Sequence, residues 1–296
     1  MTFFIQEIIT GVCVGGIYAL IATGYSLIYS LLDFSNWAHG EVCMLGAYLA
    51  WIMVSRMSLP FQIAAVLGIV FAAVMSYLNE RVAYRRIRHN GSPNMFLMIA
   101  AMGLSTTYQN VANIYFTAKY QTFNLPLQNS TIEIPLGASN VYIGVLDLIC
   151  LGVTSVALIA LIFLINHTKF GLNSRAVACN RYAAAVLGIK IDRTIASVFL
   201  MAGALAGIAG ILLGVKYNVY PTMGNIGLKA FIASVIGGLG SIPGAIIGAL
   251  ILGILETMVS GYINSGLRDL ISFALLVVLL IVKPSGIMGV SVEEKA

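Results

Sequence analysis

The residues best suited to chemistry fall in three short stretches of the chain, and none of the three has the order that catalysis needs. Residues 33 to 41 read Asp-Phe-Ser-Asn-Trp-Ala-His-Gly-Glu, which sets an amide (Asn36), an imidazole (His39) and a carboxylate (Glu41) close together. Residues 237 to 244 read Gly-Gly-Leu-Gly-Ser-Ile-Pro-Gly, and Gly237, Gly238, Gly240, Ser241 and Pro243 are the residue types of a tight turn. Residues 167 to 193 carry Lys169, Arg175, Arg181, Lys190 and Arg193 around a run of helix formers, Ala176 to Leu187, that Gly188 closes. A metal site needs converging ligands, but His39, His89 and His167 lie in three different connections, so no metal is expected. No G-x-S-x-G elbow occurs, and the glycine run after residue 237 has neither the P-loop order nor a lysine to reach a phosphate. The chain is expected to be neither an enzyme nor the holder of a cofactor. If ATP drives its work, another polypeptide must hydrolyse it.

These stretches interrupt a chain that is otherwise apolar. Of its 296 residues, 59% are hydrophobic and only 9% charged, against about 25% charged in a soluble domain that must present a wetted surface. A bilayer core of about 30 Å takes roughly 20 apolar residues per helix, so this length accommodates about eight spans. Apolar segments run at about 3 to 32, 42 to 57, 61 to 80, 95 to 112, 141 to 166, 194 to 215, 228 to 258 and 267 to 282. Helices satisfy their backbone groups internally, as hydrocarbon demands, and the alternating ten-residue pattern of a barrel strand is absent. The expectation is an all-α, polytopic transmembrane helix bundle of about eight spans, with residues 1–296 as a single membrane domain. The first segment is long enough to be tilted or broken, and the seventh need not cross in one piece. The opening Met-Thr-Phe-Phe has no basic leader, so the first helix is expected to be retained. Cys13, Cys43, Cys150 and Cys179 form no C-x-x-C pair and imply no disulfide framework.

The net charge of +5 is a matter of topology rather than nucleic-acid binding, because the basic residues are confined to a few loops. Arg81, Arg85, Arg86 and Arg88 fall in one connection and five more basic residues in 167 to 193, together nine of the sixteen. The positive-inside rule makes both connections cytoplasmic and the polar loop 113 to 140 external.

Asn36, His39 and Glu41 have two readings. Polar groups at membrane depth cost a few kcal/mol each unless they face partners or water, which marks a path or gate; the alternative is a capped helix start near residue 42. The two polar breaks, one in each half, suit broken or re-entrant helices, and equally suit two surface loops. By composition the 167 to 193 connection is a positive-inside linker before it is a docking surface. Gly11 and Gly15, Gly203 and Gly207, Gly210 and Gly214, and Gly240, Gly244 and Gly248 stand at helix-packing spacing. Asp147, Glu256 and Asp269 lie toward segment ends, and their scarcity speaks against a proton-coupled carrier.

Three ordered motifs carry a family likeness. Gly16-Ile-Tyr-Ala-Leu-Ile-Ala-Thr-Gly-Tyr-Ser-Leu-Ile-Tyr29 followed by Asn36-Trp-Ala-His-Gly-Glu41, then Ala185-Val-Leu-Gly-Ile-Lys-Ile-Asp-Arg193, then Lys229 through Gly248, resemble permease subunits of branched-chain amino acid ABC importers, of the shorter type. The resemblance implies a permease in the prokaryotic cytoplasmic (inner) membrane. Its partners would be a second permease subunit, related or identical, two cytoplasmic ATP-binding subunits and an external substrate-binding protein. It implies that Arg175, Arg181, Ala184, Ala185, Gly188 and Arg193 belong to the segment that couples to the ATPase, and that Asn36, His39, Glu41 and the 237 to 244 turn line or gate the path. Asn180-Arg181 departs from the acidic residues common there, which would call for a carboxylate on the partner facing Arg181. Three rivals remain: an ion-coupled carrier or channel for a small polar solute, a non-transporting membrane scaffold, and an ABC permease for urea or short amides.

Overall fold

A computed structural model describes residues 2–123, 130–136 and 139–289. The helices are α1 (Thr2–Leu32), α2 (Ala38–Ser55), α3 (Phe61–Asn79), α4 (Arg85–His89), α5 (Asn94–Phe116), α6 (Val145–His167), α7 (Lys169–Cys179), α8 (Arg181–Val186), α9 (Ile191–Lys216), α10 (Ile226–Gly237), α11 (Ile242–Tyr262) and α12 (Arg268–Val282). A π-helical turn, Glu80–Tyr84, joins α3 to α4. Among the described residues seven helices are long and apolar enough to cross a membrane. The bundle is polytopic and helical, as the composition requires.

The sequence reading left open whether the first segment is broken and whether the seventh crosses in one piece; the structure answers both and differs at two other segments. The first segment stays whole: α1 runs unbroken for 31 residues, about 46 Å at 1.5 Å per residue, longer than the hydrocarbon it crosses. The segment 228 to 258 divides into α10 and α11, because Gly238 and Gly240 take φ values of +106° and +86° that no helix continues through. The segment read as starting at 141 begins as β-strand: β1 (Thr131–Leu136) pairs antiparallel with β2 (Ser139–Gly144), and α6 starts only at Val145. The fourth span, α5, has the length to cross but is not among the seven apolar helices; its middle reads Ser-Thr-Thr-Tyr-Gln-Asn. Of the polar loop 113 to 140, residues 124–129 and 137–138 lie outside the described residues.

Small residues set the crossings. A Cβ on Gly15 would lie 2.9 Å from the Ala249 carbonyl oxygen, and one on Gly207 would lie 3.0 Å from the Ile69 Cα. Backbone therefore meets backbone where α1 crosses α11 and where α9 crosses α3, which is the contact that joins helices in lipid. The two basic connections share one end of the bundle, since Arg88 and His89 reach Asp192 of α9 at 2.5 and 3.0 Å. The positive-inside rule places that end in the cytoplasm. At the other, outer end, Gln121 bridges Val219 and the Trp51 indole donates to the Thr122 carbonyl at 3.2 Å.

Candidate functional site

The site is organised by α10, a helix of 12 residues, about 18 Å long and too short to cross the bilayer alone. The chain reaches the outer end at Lys216, turns back through residues 217–225, and begins α10 against the first turn of α2. Glycines permit that meeting: a Cβ on Gly227 would sit 2.6 Å from the Gly40 Cα, and one on Gly224 would overlap the Glu41 carboxylate. The two polar breaks thus flank α10 at opposite ends, and the fold does not bring them together.

Asn36 lies in the bend before α2 and is 2% exposed; its side-chain oxygen accepts a hydrogen bond from the Tyr84 hydroxyl at 2.8 Å. His39 and Glu41 fall in the first turn of α2 rather than in the break. His39 is fully buried edge-on to Tyr25, with ring centroids 4.9 Å apart. Tyr25 and Trp37 both pack on Phe231 of α10 at 5.9 Å, so an aromatic plug closes the space between α1, α2 and α10. The capping alternative fails: position 37 caps α2 with no side-chain bond, Asn36 is engaged by Tyr84, and Glu41 accepts from Ser105 at 3.3 Å. The second Glu41 oxygen is buried without a hydrogen-bond partner.

The second break is built from backbone. Gly237 ends α10, Gly238 and Gly240 make the turn, Ser241 caps α11 by accepting from the Gly244 amide at 3.2 Å, and Pro243 occupies the first turn. Residues 286–289 cover it, with the Ile287 and Met288 amides donating to the Ile236 and Gly237 carbonyls at 2.9 Å each. A cavity of about 450 Å³ opens beside the turn, lined by Ser30, Asn166, Arg175, Gly240, Ser241 and Pro243 among others.

Arg175 is therefore shared between this cavity and the connection from α6 to α9, where it also donates to Asn166 at 3.4 Å. The connection is two helices rather than one, because Asn180 breaks the run and caps α8 by accepting from the Ala183 amide at 3.0 Å. Arg181 donates to the Leu31 carbonyl of this same chain, at the end of α1. Ala184 is buried and Ala185 exposed. Tyr182, Val186 and Leu187 are 82%, 73% and 78% exposed, an apolar tip standing off the bundle. Gly188 ends α8 at φ +80° with open space around it, and Arg193 sits exposed in the first turn of α9 beside Gly188 and Lys190.

Sequence reasoning missed a charged cluster at the outer end. Glu256 of α11 is fully buried and accepts from the Tyr18 hydroxyl at 3.0 Å and the Ser272 hydroxyl at 2.7 Å. Lys229 of α10 bridges Glu256 at 3.0 Å and Asp269 at 2.8 Å, and the Arg268 Nε stands 3.6 Å from Glu256. Lys229, Arg268, Asp269, Tyr18 and Ser272 border a cavity of about 650 Å³ over the N-terminal end of α10, with Glu256 buried behind them. The available signal was a lone lysine and a lone glutamate inside two apolar runs, and the depth of Glu256 weakens the inference drawn from scarce carboxylates.

The family described as "Branched-chain amino acid transport system / permease component" matches residues 7–280. The high-affinity branched-chain amino acid transport system permease protein LivH of Escherichia coli is 38% identical over 307 residues, covering 99% of this chain and 98% of that protein. The permease protein BraD of Pseudomonas aeruginosa, from a transport system described in the same words, is 33% identical over 302 residues, with 99% and 98% covered. Among solved structures, PsaBC from Streptococcus pneumoniae in complex with Fab matches with a TM-score of 0.49 at 14% identity over 95% of this chain and 92% of that one, too loose a likeness to carry an argument.

Proposed function

Given that this chain belongs to the branched-chain amino acid transport system permease family, we propose that it is the permease subunit of an ATP-driven importer in a prokaryotic cytoplasmic membrane. It receives branched-chain or related amino acids from an external binding protein. It works beside a second permease subunit and two cytoplasmic ATP-binding subunits, which do the hydrolysis. Asn36, His39 and Glu41, with the aromatic plug, form one constriction of the route, and the 237 to 244 turn forms another.

The observation that carries this reading is the shared inner cavity: Arg175 of the coupling segment and Gly240, Ser241 and Pro243 of the turn line the same space. A push on α7 and α8 is delivered directly to the turn. The Arg181 bond to the Leu31 carbonyl gives a second route, into the end of α1 just before the first break. The exposed Tyr182, Val186 and Leu187 are the apolar anchor an ATPase groove would bury. An ion-coupled carrier has no use for such a tip.

The test is Gly188→Val in the assembled transporter. A β-branched residue at φ +80° is strained although space is open, so α8 is misdirected while the bundle stays folded. Uptake in proteoliposomes should fall at least ~10-fold, about 1.4 kcal/mol of lost coupling, with ATP hydrolysis retained. Unchanged uptake at unchanged hydrolysis removes the coupling role from this segment.

A further inference from the structure

We infer that the outer cavity is a recognition site, within the permease itself, for the zwitterionic head of an amino acid, with Lys229 and Arg268 facing the carboxylate and Asp269 facing the ammonium. This deepens the transport reading above and rests on it.

The argument is one of charge balance. Lys229, Arg268 and Asp269 line a cavity of about 650 Å³, and Glu256, buried behind Lys229 and Arg268, brings the cluster to two positive and two negative charges. That volume is within the roughly 300–1,000 Å³ of ordinary small-molecule sites. A neutral cluster in a low-dielectric wall accepts a solute of zero net charge without leaving an unbalanced charge behind. A net anion or cation would leave one, at a cost that grows as the dielectric falls.

The two carboxylates have different duties. The Glu256 side chain is inaccessible and held by Tyr18 and Ser272, so it stays with Lys229 and Arg268 and compensates one of their two charges. The Asp269 side chain is 70% exposed and bridges Lys229 at 2.8 Å. The Asp269 end of this pair is screened by water, so it opens more easily than the buried bond between Lys229 and Glu256. A solute carboxylate can take the place of Asp269 on Lys229, and Asp269, once released, takes the solute ammonium. Arg268, whose Nε faces Glu256 at 3.6 Å, also lines the cavity and adds a second cation to its wall. The N-terminal end of α10 borders the cavity through Asn225 and Ile226, adding its positive dipole end on the same side. Leu213, Ile232 and Phe273 complete the wall with the apolar surface that an aliphatic side chain needs.

The experiment uses the full chain, purified with the permease and ATPase subunits that accompany it and placed in nanodiscs. Calorimetric titration compares leucine with 4-methylpentanoate, which lacks the ammonium, and with isoamylamine, which lacks the carboxylate. The wild type should prefer leucine over both by at least ~10-fold, about 1.4 kcal/mol. Asp269→Asn removes a negative charge from an exposed side chain, so folding is unaffected. In that variant leucine should weaken ~10-fold and 4-methylpentanoate should tighten, reversing the order between them. A merely structural Asp269 would lower both together. An unchanged ratio, or no leucine binding by the wild type, overturns the site. Uptake by the wild-type transporter is read in parallel: its loss would sink the transport reading, and its persistence with an unchanged ratio sinks the recognition site alone.

Discussion

The two polar breaks look alike in sequence, each a short interruption beside a long apolar run, yet they are held by opposite means. The first, at 33 to 37, contains no glycine and is fixed by side chains: Tyr84 donates to Asn36, Phe34 packs against Tyr84 at 5.3 Å, and Trp37 lies on Phe231. The second, at 238 to 241, is fixed by backbone: two glycines with positive φ, and two amides of the 286–289 segment donating to carbonyls at the end of α10. A break made by side chains can be rearranged by rotating them. A break made by backbone turns as a unit or not at all, which suits the end of the molecule that the proposed coupling segment touches.

The largest effect should come from filling the backbone turn. In Gly238→Val a β-branched residue is forced to φ +106°, and its Cβ is driven into the Gly289 backbone. Each fault costs about 1–3 kcal/mol. Together they should abolish monodisperse protein on size-exclusion chromatography, or lower its thermal midpoint beyond any other substitution named here. A variant that purifies with the wild-type midpoint would show that the turn relaxes freely and that the contrast with the first break is false.

A smaller loss is expected at the side-chain break. Tyr84→Phe strands the buried Asn36 oxygen without its donor, at a cost of about 1–3 kcal/mol. Because the damage is an unsatisfied acceptor rather than a lost shape, adding Asn36→Leu should recover part of it, and chemical denaturation of the single and double variants measures the coupling. Equal stability of the single and double variants would mean that water or another group serves Asn36, and the first break would lose its latch.

Much of the fold was legible from hydropathy, because lipid forces each span to declare itself as an apolar run. The positive-inside assignment of the two basic loops agrees with their meeting at Asp192. What was not legible depended on partners far apart in sequence. The hairpin at 131 to 144 was absorbed into a span because Val141, Tyr142 and Ile143 are apolar whether they form a strand or a helix. The capping role offered for Asn36 and Glu41 could not be ruled out without knowing that Tyr84 and Ser105 would claim them. The bond from Arg181 to the Leu31 carbonyl, 150 residues away, likewise had no signal in the sequence. The outer cluster was hidden for the same reason: Lys229, Glu256 and Arg268 are single charges on three helices, and only their packing makes them a group.

The smallest expected change tests whether the caps follow the same division. The side chain of Ser241 caps α11, whereas Trp37 at the start of α2 makes no capping bond. Ser241→Ala should therefore cost about 1 kcal/mol, the usual value of an N-cap, and Ser241→Asp should restore most of it because the carboxylate accepts from the same amide and suits the helix N-terminus. A thermal-shift comparison of the three proteins reads the order directly. If Ser241→Ala is as damaging as Gly238→Val, the turn is held by this one hydroxyl, and the second break is a side-chain device like the first.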